Sequence, residues 1–348
     1  MLDAPIGLQI SVDGSPIQGL LHASVAMNNC FSSDSYTLTF AMGPVPLGDT
    51  IFWSSLSTAY VEIDVIAADE PTAQCLISGM IDTIHVDPIL GTVAIEGRDL
   101  SSSMIDAYRQ QDFVNQTASE VATTVASYHG LTPVVTATSG NIGRYYGDGY
   151  TRLSLGQFSR IRSDWDLMVE LARENSFDVF VQGSSLFFQP SISSDAAPVH
   201  IALRDVKAIR FERTLTIPSS AQARVQSWNS QNMASYDGKS AGTSGNATQS
   251  SSAASTTSTG NDQPFLFSGS NFTSQQASDS AVRYAAEIGR LGTLLHIEMS
   301  WDLALSPRTE ILIDETNSIF DNTYKIDNIE RHYSTTTGSS QIIRAVLV

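Results

Sequence analysis

Cysteine and histidine, the side chains that most often bind a transition metal, are few in this sequence and scattered along it. The two cysteines, Cys30 and Cys75, form no C-x-x-C motif, and no two histidines have the H-x-x-x-H spacing that places imidazoles on one helix face. The histidines are His22, His85, His129, His200, His296 and His332. Serine and threonine are plentiful, but we predict no G-x-S-x-G nucleophile elbow and no Gly-rich phosphate loop with lysine. We therefore predict no catalytic residue, no metal site and no cofactor.

Acidic residues recur in two parts of the chain, with Glu62 and Asp82 in one part and Glu310 and Asp327 in the other. A pair of carboxylates is what glycoside hydrolysis requires. An active site is rarely duplicated within one chain, however. The recurrence therefore favours a scaffold role, and we predict that the protein is not an enzyme.

Two features are predicted to make structural contacts. Gly97-Arg98-Asp99 follows a strand, where the glycine fits a turn and the two charged side chains can tie neighbouring segments together, so we predict a structural junction rather than an adhesion tripeptide. Trp53 lies in the loop-like run Ile51-Phe52-Trp53 and is our candidate for an intersubunit contact. The other three tryptophans stand in periodic apolar settings typical of a core.

The length and net charge of the chain limit the functions it can have. The 348 residues exceed what one hydrophobic core usually holds, so two or three domains are expected. The formal net charge of -17 opposes binding to DNA phosphates or anionic lipid headgroups. No apolar run has the length of a membrane helix, and the N-terminus does not look like a signal peptide. We expect a protein made in the cytoplasm that does not insert into membranes. Buried free thiols are the common state for cysteines in strands such as these, and a disulfide is the alternative.

Hydrophobic periodicity divides the chain into three domains. Residues 1–100 alternate apolar and polar side chains almost throughout, which predicts an antiparallel β-barrel or sandwich. Residues 101–200 switch to helical spacing, with helices after Thr117 and Ser163 and a hairpin over 178–188, and so form a small α/β domain. Residues 201–348 return to strands around a helix at 274–291. Within them, residues 238–261 are nearly all Ser, Thr, Gly, Ala and Asn, which predicts a flexible insertion.

A weak internal repeat links the first and third domains. Residues 62–65 (EIDV) followed by 81–84 (IDTI) resemble residues 310–313 (EILI) followed by 326–329 (IDNI). Each pair of segments is followed by a hairpin and one more strand. Chance similarity between strands is the alternative explanation.

Several segments resemble, in order, the phage late control D family of tail hub proteins. The segments are Gly97-Arg98-Asp99-Leu100, 113–121 (FVNQTASEV), 165–174 (WDLMVELARE), 177–188 (FDVFVQGSSLFF) and 224–229 (RVQSWN), followed by the helix after Ser274 and the closing strands. The resemblance runs from about residue 60 to the end of the chain. None of the segments is a catalytic signature. The sequence departs from the family by its Ser/Thr-rich insertion and by the missing C-terminal extension, so any needle would be another chain.

The resemblance implies a mainly β fold in which two tail-tube-like antiparallel β-barrel domains flank a small α/β domain. It implies a homotrimer that joins a sixfold tail tube to a threefold spike in the tail tip or baseplate of a virion and forms part of the DNA channel. Its partners would be the tail tube or distal tail protein, the spike or needle protein and the tape-measure protein, with DNA passing through unbound. The alternative is a carbohydrate-binding or peptidoglycan-degrading tail-tip protein, which would need acids converging in a cleft.

Overall fold

The computed structural model describes residues 6–44, 47–67, 70–108, 111–154, 162–191, 197–215, 222–240 and 265–348. The chain is mainly β, as predicted. Within the described part of the chain, no helix combines the length and apolar composition that crossing a membrane requires.

The first segment is built of strands because every second side chain is apolar. Along β4 and β7 these alternate residues are buried, while the residues between them are polar. The one helix, α1, was not predicted; Asp49 caps it by accepting a hydrogen bond from the Phe52 backbone N–H. The elements are β1 (Ile6–Val12), β2 (Ser15–Ile17), β3 (Leu20–Asn28), β4 (Ser35–Ala41), α1 (Thr50–Ser55), β5 (Tyr60–Ala67), β6 (Glu70–Asp87) and β7 (Thr92–Asp99).

The second segment forms an α/β unit with its own core. Thr117 and Ser163 each close a capping box, which fixes where the two longer helices begin and confirms both predicted starts. The predicted hairpin over 178–188 is also present. The elements are α2 (Ser102–Ile105), β8 (Asp112–Val114), α3 (Ala118–Tyr128), β9 (Thr132–Val135), β10 (Arg144–Gly147), β11 (Tyr150–Ser154), α4 (Asp164–Asn175), β12 (Phe177–Gln182) and β13 (Ser185–Pro190).

The third segment contains most of the remaining strands and one long helix. Thr273 and Gln276 form a capping box at the start of the helix, which confirms the helix predicted at 274–291. The elements are β14 (Val199–Ile201), a short 3-10 helix (Leu203–Asp205), β15 (Val206–Arg213), β16 (Ala223–Asn229), β17 (Ala234–Lys239), β18 (Phe265–Ser270), α5 (Ser274–Arg290), β19 (Thr293–Met299), β20 (Glu310–Ile313), β21 (Asn322–Ser334) and β22 (Gly338–Leu347).

Part of this segment folds as a separate small sheet. Strands β17-β16-β18 carry α5 across one face, and Val225, Ala277 and Ala281 form their core. Gly238 belongs to β17 and packs so closely on α5 that a Cβ there would stand 2.1 Å from the carbonyl oxygen of Ala277. The predicted insertion at 238–261 therefore began too early, since Gly238 and Lys239 are in a strand and Ser240 is buried behind it. The rest of that prediction, residues 241–261, lies outside the described residues.

One large antiparallel sheet unites the first and third segments. Its strands follow the order β15-β19-β22-β21-β3-β4-β7-β6-β5-β1-β2, with β20 pairing with β21 and with β14. The two segments meet where β21 pairs with β3, from Asn328 opposite Asn28 to Ser334 opposite His22. We call this pairing the seam. A continuous hydrophobic core lies against both parts of the sheet.

Candidate functional site: a structural junction and two open sheet edges

Gly97 lies in β7 at a point of very close packing. The residue pairs with Tyr36 of β4 and with Ile81 of β6. A Cβ on residue 97 would stand 2.2 Å from the carbonyl oxygen of Met80 and 2.4 Å from the hydroxyl oxygen of Tyr36. Only glycine fits between these atoms. The predicted turn at Gly97 was wrong, because residues 97–99 are the last three of β7, and the glycine is required by close packing instead.

Arg98 ties the end of the strand to the segment after α2. Its Nε and Nη2 donate to Asp82 at 2.6 and 3.0 Å, and Nη2 also donates to Asp106 at 2.9 Å. The hydrogen bonds that Arg98 donates to Asp82 raise the pKa of Arg98. Because all three side chains are partly exposed, solvent screens the ion pairs, and their contribution to stability is about 1 kcal/mol or less.

Asp99 is buried and stands in a small cluster of polar groups. Its Oδ1 accepts hydrogen bonds from Ser33 Oγ at 2.7 Å, Ser101 Oγ at 2.5 Å and the Ser101 N–H at 3.1 Å. Burial raises the pKa of this carboxyl while the hydrogen bonds oppose the rise. The carboxyl of Asp34 accepts from the Asn28 N–H at 2.7 Å. Burial, followed by the negative charge of Asp99, raises the pKa of Asp34 to about 7.

The raised pKa of Asp34 makes stability depend on pH. Between pH 4 and 7 the folded chain binds more protons than the unfolded chain, so the free energy of unfolding falls as pH rises through this window. Asp34→Asn keeps the acceptor for Asn28 and removes the charge. We expect the variant to be more stable than the wild type by about 2 kcal/mol at pH 8 and equally stable near pH 4. Urea unfolding of the wild type and the variant between pH 4 and 8 measures the difference in free energy of unfolding. Asp279→Asn, at an exposed position, is the control. A difference between Asp34→Asn and the wild type that does not change with pH would contradict the prediction.

The turn between β3 and β4 holds the α/β unit against the large sheet. Phe31 adopts a left-handed backbone (φ 65°) and donates its N–H to the carbonyl of Val179 at 3.2 Å. Its own carbonyl accepts from Trp165 Nε1 at 3.3 Å, and the guanidinium of Arg173 lies 5.1 Å from its ring centroid. Phe31, in this one turn, thus contacts two elements of the α/β unit, β12 and α4.

Arg308 enters the same junction from the loop before β20. Its Nη1 donates to the carbonyl of Asn29, and its guanidinium lies 3.6 Å above the Phe180 ring centroid. Burial lowers its pKa, and burial also raises the pKa of the neighbouring Cys30 thiol to about 12. Sequence reasoning missed Arg308 because it belongs to no motif, and only the fold brings it to residues 29–31.

The tryptophans are distributed differently from the prediction. Trp53 is 1% exposed and packs against Phe40 and Phe52, so its ring cannot reach a second subunit; Ile51, 76% exposed, is the residue that α1 presents to solvent. Trp228, predicted as core, is 59% exposed on the open face of the small sheet. A helix replaced the expected loop at Trp53, and the face of β16 opposite α5 is uncovered at Trp228.

The two parts of the large sheet repeat each other strand by strand. Strands β3, β4, β7, β6 and β5 pair in the same order as β15, β19, β22, β21 and β20. The match extends to irregularities: β3 has a bulge between Leu20 and His22, and β15 has one between Val206 and Ala208 at the same point against its partner. Bulges are specific features of a strand pair, so the shared position indicates duplicated units rather than chance similarity.

A second pair of bulges corrects the repeat predicted from sequence. Asp82 and Asp327 both fall in bulges, between residues 81 and 83 of β6 and between 326 and 328 of β21. Their predicted equivalence is therefore supported. The strand register aligns Glu310 with Tyr60 rather than with Glu62, however. The recurring acids are a feature of the duplicated scaffold at Asp82 and Asp327 only.

The repeated sheet has two edges that no described strand of this chain covers. Strand β15 pairs only with β19, and residues 83–87 of β6 pair only with β7. Both edges carry apolar side chains that pack on the core but are only partly buried: Ile84, Val86, Ile209 and Phe211. Each edge is thus incomplete in the isolated chain.

A cleft of about 790 Å³ separates the α/β unit from the small sheet. Asn271 joins its walls, donating to the carbonyl of Gly143 at 3.0 Å and accepting from Ser230 Oγ at 2.7 Å. Tyrosine rings from both sides, Tyr145 and Tyr284, line it together with amides and acids. Such groups bind sugars, so this cleft is where the carbohydrate alternative would apply.

The structure also explains two other groups of side chains that could bind a metal ion or act as a nucleophile. Glu62, Asp64 and Cys75 bring one ligand atom each within 4.8 Å of one another. Burial and the two acids raise the pKa of the Cys75 thiol to about 11, which disfavours the thiolate that metals bind. Ser240, in a run that matches G-x-S-x-G, is buried and bonded to the backbone of Ala223. Both cysteines are free, although Cys75 is exposed rather than buried.

No family model matches the sequence, and no curated protein sequence matches it. The fold is nevertheless shared with solved structures. A tail protein from Neisseria meningitidis has a TM-score of 0.70 at 12% identity, covering 99% of this chain and 96% of that chain. The 43 kDa tail protein of prophage MuSo2 from Shewanella oneidensis has a TM-score of 0.67 at 14% identity, covering 98% of each chain.

A component of the E. coli type VI secretion system, similar in structure to tail proteins of bacteriophage T4, has a TM-score of 0.56 at 10% identity. The match covers 97% of this chain and 76% of that one. The predicted resemblance to tail hub proteins is therefore confirmed as a likeness of fold. The assignment to the late control D family stays a prediction.

Proposed function

We propose that this protein is a non-enzymatic structural subunit of a phage-type tail hub, in the tail tip or baseplate of a virion. The observation that carries the proposal is the duplicated unit within one sheet. Two similar halves in one chain give six similar units in a trimer, which can meet a sixfold tail tube on one side and a threefold spike on the other. The three-domain division and the homotrimer belong to this proposal.

The face of the sheet opposite the core suits the wall of a DNA channel. Its side chains alternate with the buried ones, and from β15 to residues 81–87 of β6 it carries seven acids against five basic residues, with hydroxyls and histidines between them. A wall of this charge gives duplex DNA no row of cations to hold it, so DNA would pass without specific binding. The acids are Asp82, Asp87, Glu96, Glu212, Glu298, Asp327 and Glu330, and the basic residues are Arg98, Lys207, Arg210, Lys325 and Arg344.

The proposed trimer would contact three other components of the tail. The tail tube or distal tail protein would contact one side, the spike or needle protein the other, and the tape-measure protein would lie inside. The chain would be made in the cytoplasm of the bacterial host and then assembled into the tail.

Oligomeric state tests the proposal directly. We expect the purified chain to form a homotrimer of about three times 37.5 kDa, stable on dilution to micromolar concentration, because each open edge leaves apolar side chains uncovered. Light scattering coupled to size exclusion measures the mass. A monomer or a twofold dimer, both alone and mixed with tail tube subunits, would overturn the hub assignment.

The carbohydrate alternative rests on the cleft between the α/β unit and the small sheet. Calorimetric binding of soluble peptidoglycan fragments by the wild type, lost in Tyr284→Ala, would favour it over the hub. The duplicated sheet favours the hub, because a single sugar site gives no reason for two equivalent halves.

A further inference from the structure

Two hairpin tips lie at the same end of the large sheet. The first tip, residues 88–91, joins β6 to β7, and the second tip, residues 335–337, joins β21 to β22. The second tip donates a backbone N–H to the carbonyl of Leu21, at the start of β3, at 3.1 Å, and the first tip accepts one from Met42, just after β4, at 2.8 Å. Since β6 and β7 are the counterparts of β21 and β22, the tips occupy equivalent positions of the duplicated unit.

The parts of the chain that occur only once connect at the opposite end. The α/β unit follows β7 after Asp99, and the small sheet with α5 follows β15 after Arg213. Strand β7 runs from the first tip to Asp99. Strand β15 runs the same way, since it begins opposite Met299, which pairs with Gln341 near the second tip. The end with the tips, which we call the tip end, is therefore where the two halves present equivalent loops.

The two tips differ in chemistry. Ile89 and Leu90 in the first tip are 94% and 75% exposed. The second tip consists of three threonines, all exposed. Single apolar side chains on a surface are ordinary. Here, however, two adjacent ones stand at the end of a hairpin whose counterpart is polar, so the duplicated scaffold does not require them.

The loops that precede β5 and β20 differ in the same way. Helix α1, which presents the exposed Ile51, lies at the tip end because Trp53 packs on Phe40, which pairs with Val93 just after the first tip. The counterpart loop, residues 300–309, is described throughout and exposes no large apolar side chain. A trimer would thus present these apolar groups at three of its six equivalent positions.

Asp87 holds the first tip in an ordered conformation. Its Oδ1 accepts hydrogen bonds from the backbone N–H groups of Ile89 and Leu90, each at 2.9 Å. Pro88 between them has a fixed φ. Because the backbone that carries the two side chains is already ordered, burying them in a partner costs little further conformational entropy.

The charge around these apolar residues is negative. Asp49 and Asp87 lie at the tip end of the first half, and its segments there contain no lysine or arginine. These segments are residues 17–22, 40–44, 47–56 and 85–94. A partner surface that is complementary has an apolar pocket with lysines or arginines at its rim.

We propose that Ile51, Ile89 and Leu90 dock into such a pocket on the sixfold tail tube, with three of these contacts per trimer engaging alternate subunits of the tube ring. The tip end carries two equivalent tips per chain, so a trimer presents six of them in a ring, which matches a sixfold partner. A threefold spike fits the opposite end better, where each chain has one α/β unit and one small sheet. This inference rests on the proposed hub.

Substitutions in the full chain test the contact. Ile89→Ser combined with Leu90→Ser removes both apolar side chains of the first tip. The matched control combines Leu215→Ser with Met233→Ser, which removes two exposed apolar side chains away from the tip end. Light scattering gives the mass of each protein, and surface plasmon resonance measures its binding to immobilised tail tube protein and to immobilised spike protein of the same tail.

We expect the first-tip variant to remain a trimer and to bind the tail tube protein at least about tenfold more weakly than the wild type, because two anchoring side chains are lost. The control should bind as the wild type does. Binding should weaken as the salt concentration rises, because salt screens the charges across the contact.

The possible outcomes separate the docking site from the hub. A wild-type trimer that does not bind the tail tube protein overturns the docking site and leaves the trimeric hub standing. The same holds for a first-tip variant that binds the tube protein as tightly as the control, or that loses only the spike protein. Binding that does not change with salt overturns the basic rim. A wild-type chain that is not a trimer overturns the hub itself.

Discussion

Gly97→Ala is expected to lower the free energy of unfolding by about 3 kcal/mol. The new methyl group would stand 2.2 Å from the Met80 carbonyl oxygen and 2.4 Å from the Tyr36 hydroxyl oxygen. Backbone cannot give way cheaply in the middle of a sheet, and Tyr36 is itself buried in the core. Strands β4, β6 and β7 would have to separate locally, which also strains Arg98 and Asp99 at the junction.

Urea unfolding followed by tryptophan fluorescence, at one fixed protein concentration, measures this loss as a lower midpoint with an unchanged slope. Gly147→Ala is the matched control, since a Cβ at that strand glycine meets nothing within 4 Å, and we expect a change within about 0.5 kcal/mol. If the two variants unfold at the same urea concentration, close packing at Gly97 is not what makes glycine necessary there.

Arg331→Ala is expected to lower the free energy of unfolding by about 3 to 5 kcal/mol, through lost hydrogen bonds and the cavity it leaves. This arginine is 3% exposed, and its Nη2 donates to the carbonyls of Leu305 at 2.6 Å and Asp302 at 3.2 Å. Its Nε donates to Oε1 of the buried Gln341 at 3.3 Å. Burial lowers its pKa to about 10, so it remains charged at neutral pH. Truncation removes these three hydrogen bonds and opens a cavity beside the seam.

Arg344→Ala is the matched control, because Arg344 is exposed on the neighbouring strand β22. We expect this substitution to change the free energy of unfolding by less than about 0.5 kcal/mol. Thermal unfolding and urea unfolding both report the difference. Arg331→Met, which restores most of the volume without the donors, should recover only part of the loss; full recovery would mean that packing, and not hydrogen bonding to the 302–305 loop, is the role of Arg331.

The helices and the alternating strands were determined largely by local sequence. Capping residues at Thr117, Ser163 and Thr273 each satisfy backbone N–H groups within three residues, so the helix starts follow from the sequence alone. The alternation along β4 and β7 likewise predicted both the strands and the buried face. Local signals of this kind do not depend on what the chain meets elsewhere.

Tertiary structure decided which residues meet over long distances. Trp53 was predicted at an intersubunit contact and Trp228 in the core, yet the core covers Trp53 and leaves Trp228 exposed, because burial depends on whether another element packs on that face. Arg308 reaches Asn29 across 279 positions of the chain.

The internal repeat was likewise revealed in part by the sequence and in part by the tertiary structure. The sequence by itself indicated two related β segments through the motifs at residues 81–84 and 326–329. The bulges, the seam and the two uncovered edges emerged only from strand pairing, because almost every residue type offers the same backbone hydrogen-bonding groups and the sequence does not show which strands will meet. Register is set by the whole sheet, and it is the register that identifies β6 and β15 as counterparts of the strands joined at the seam.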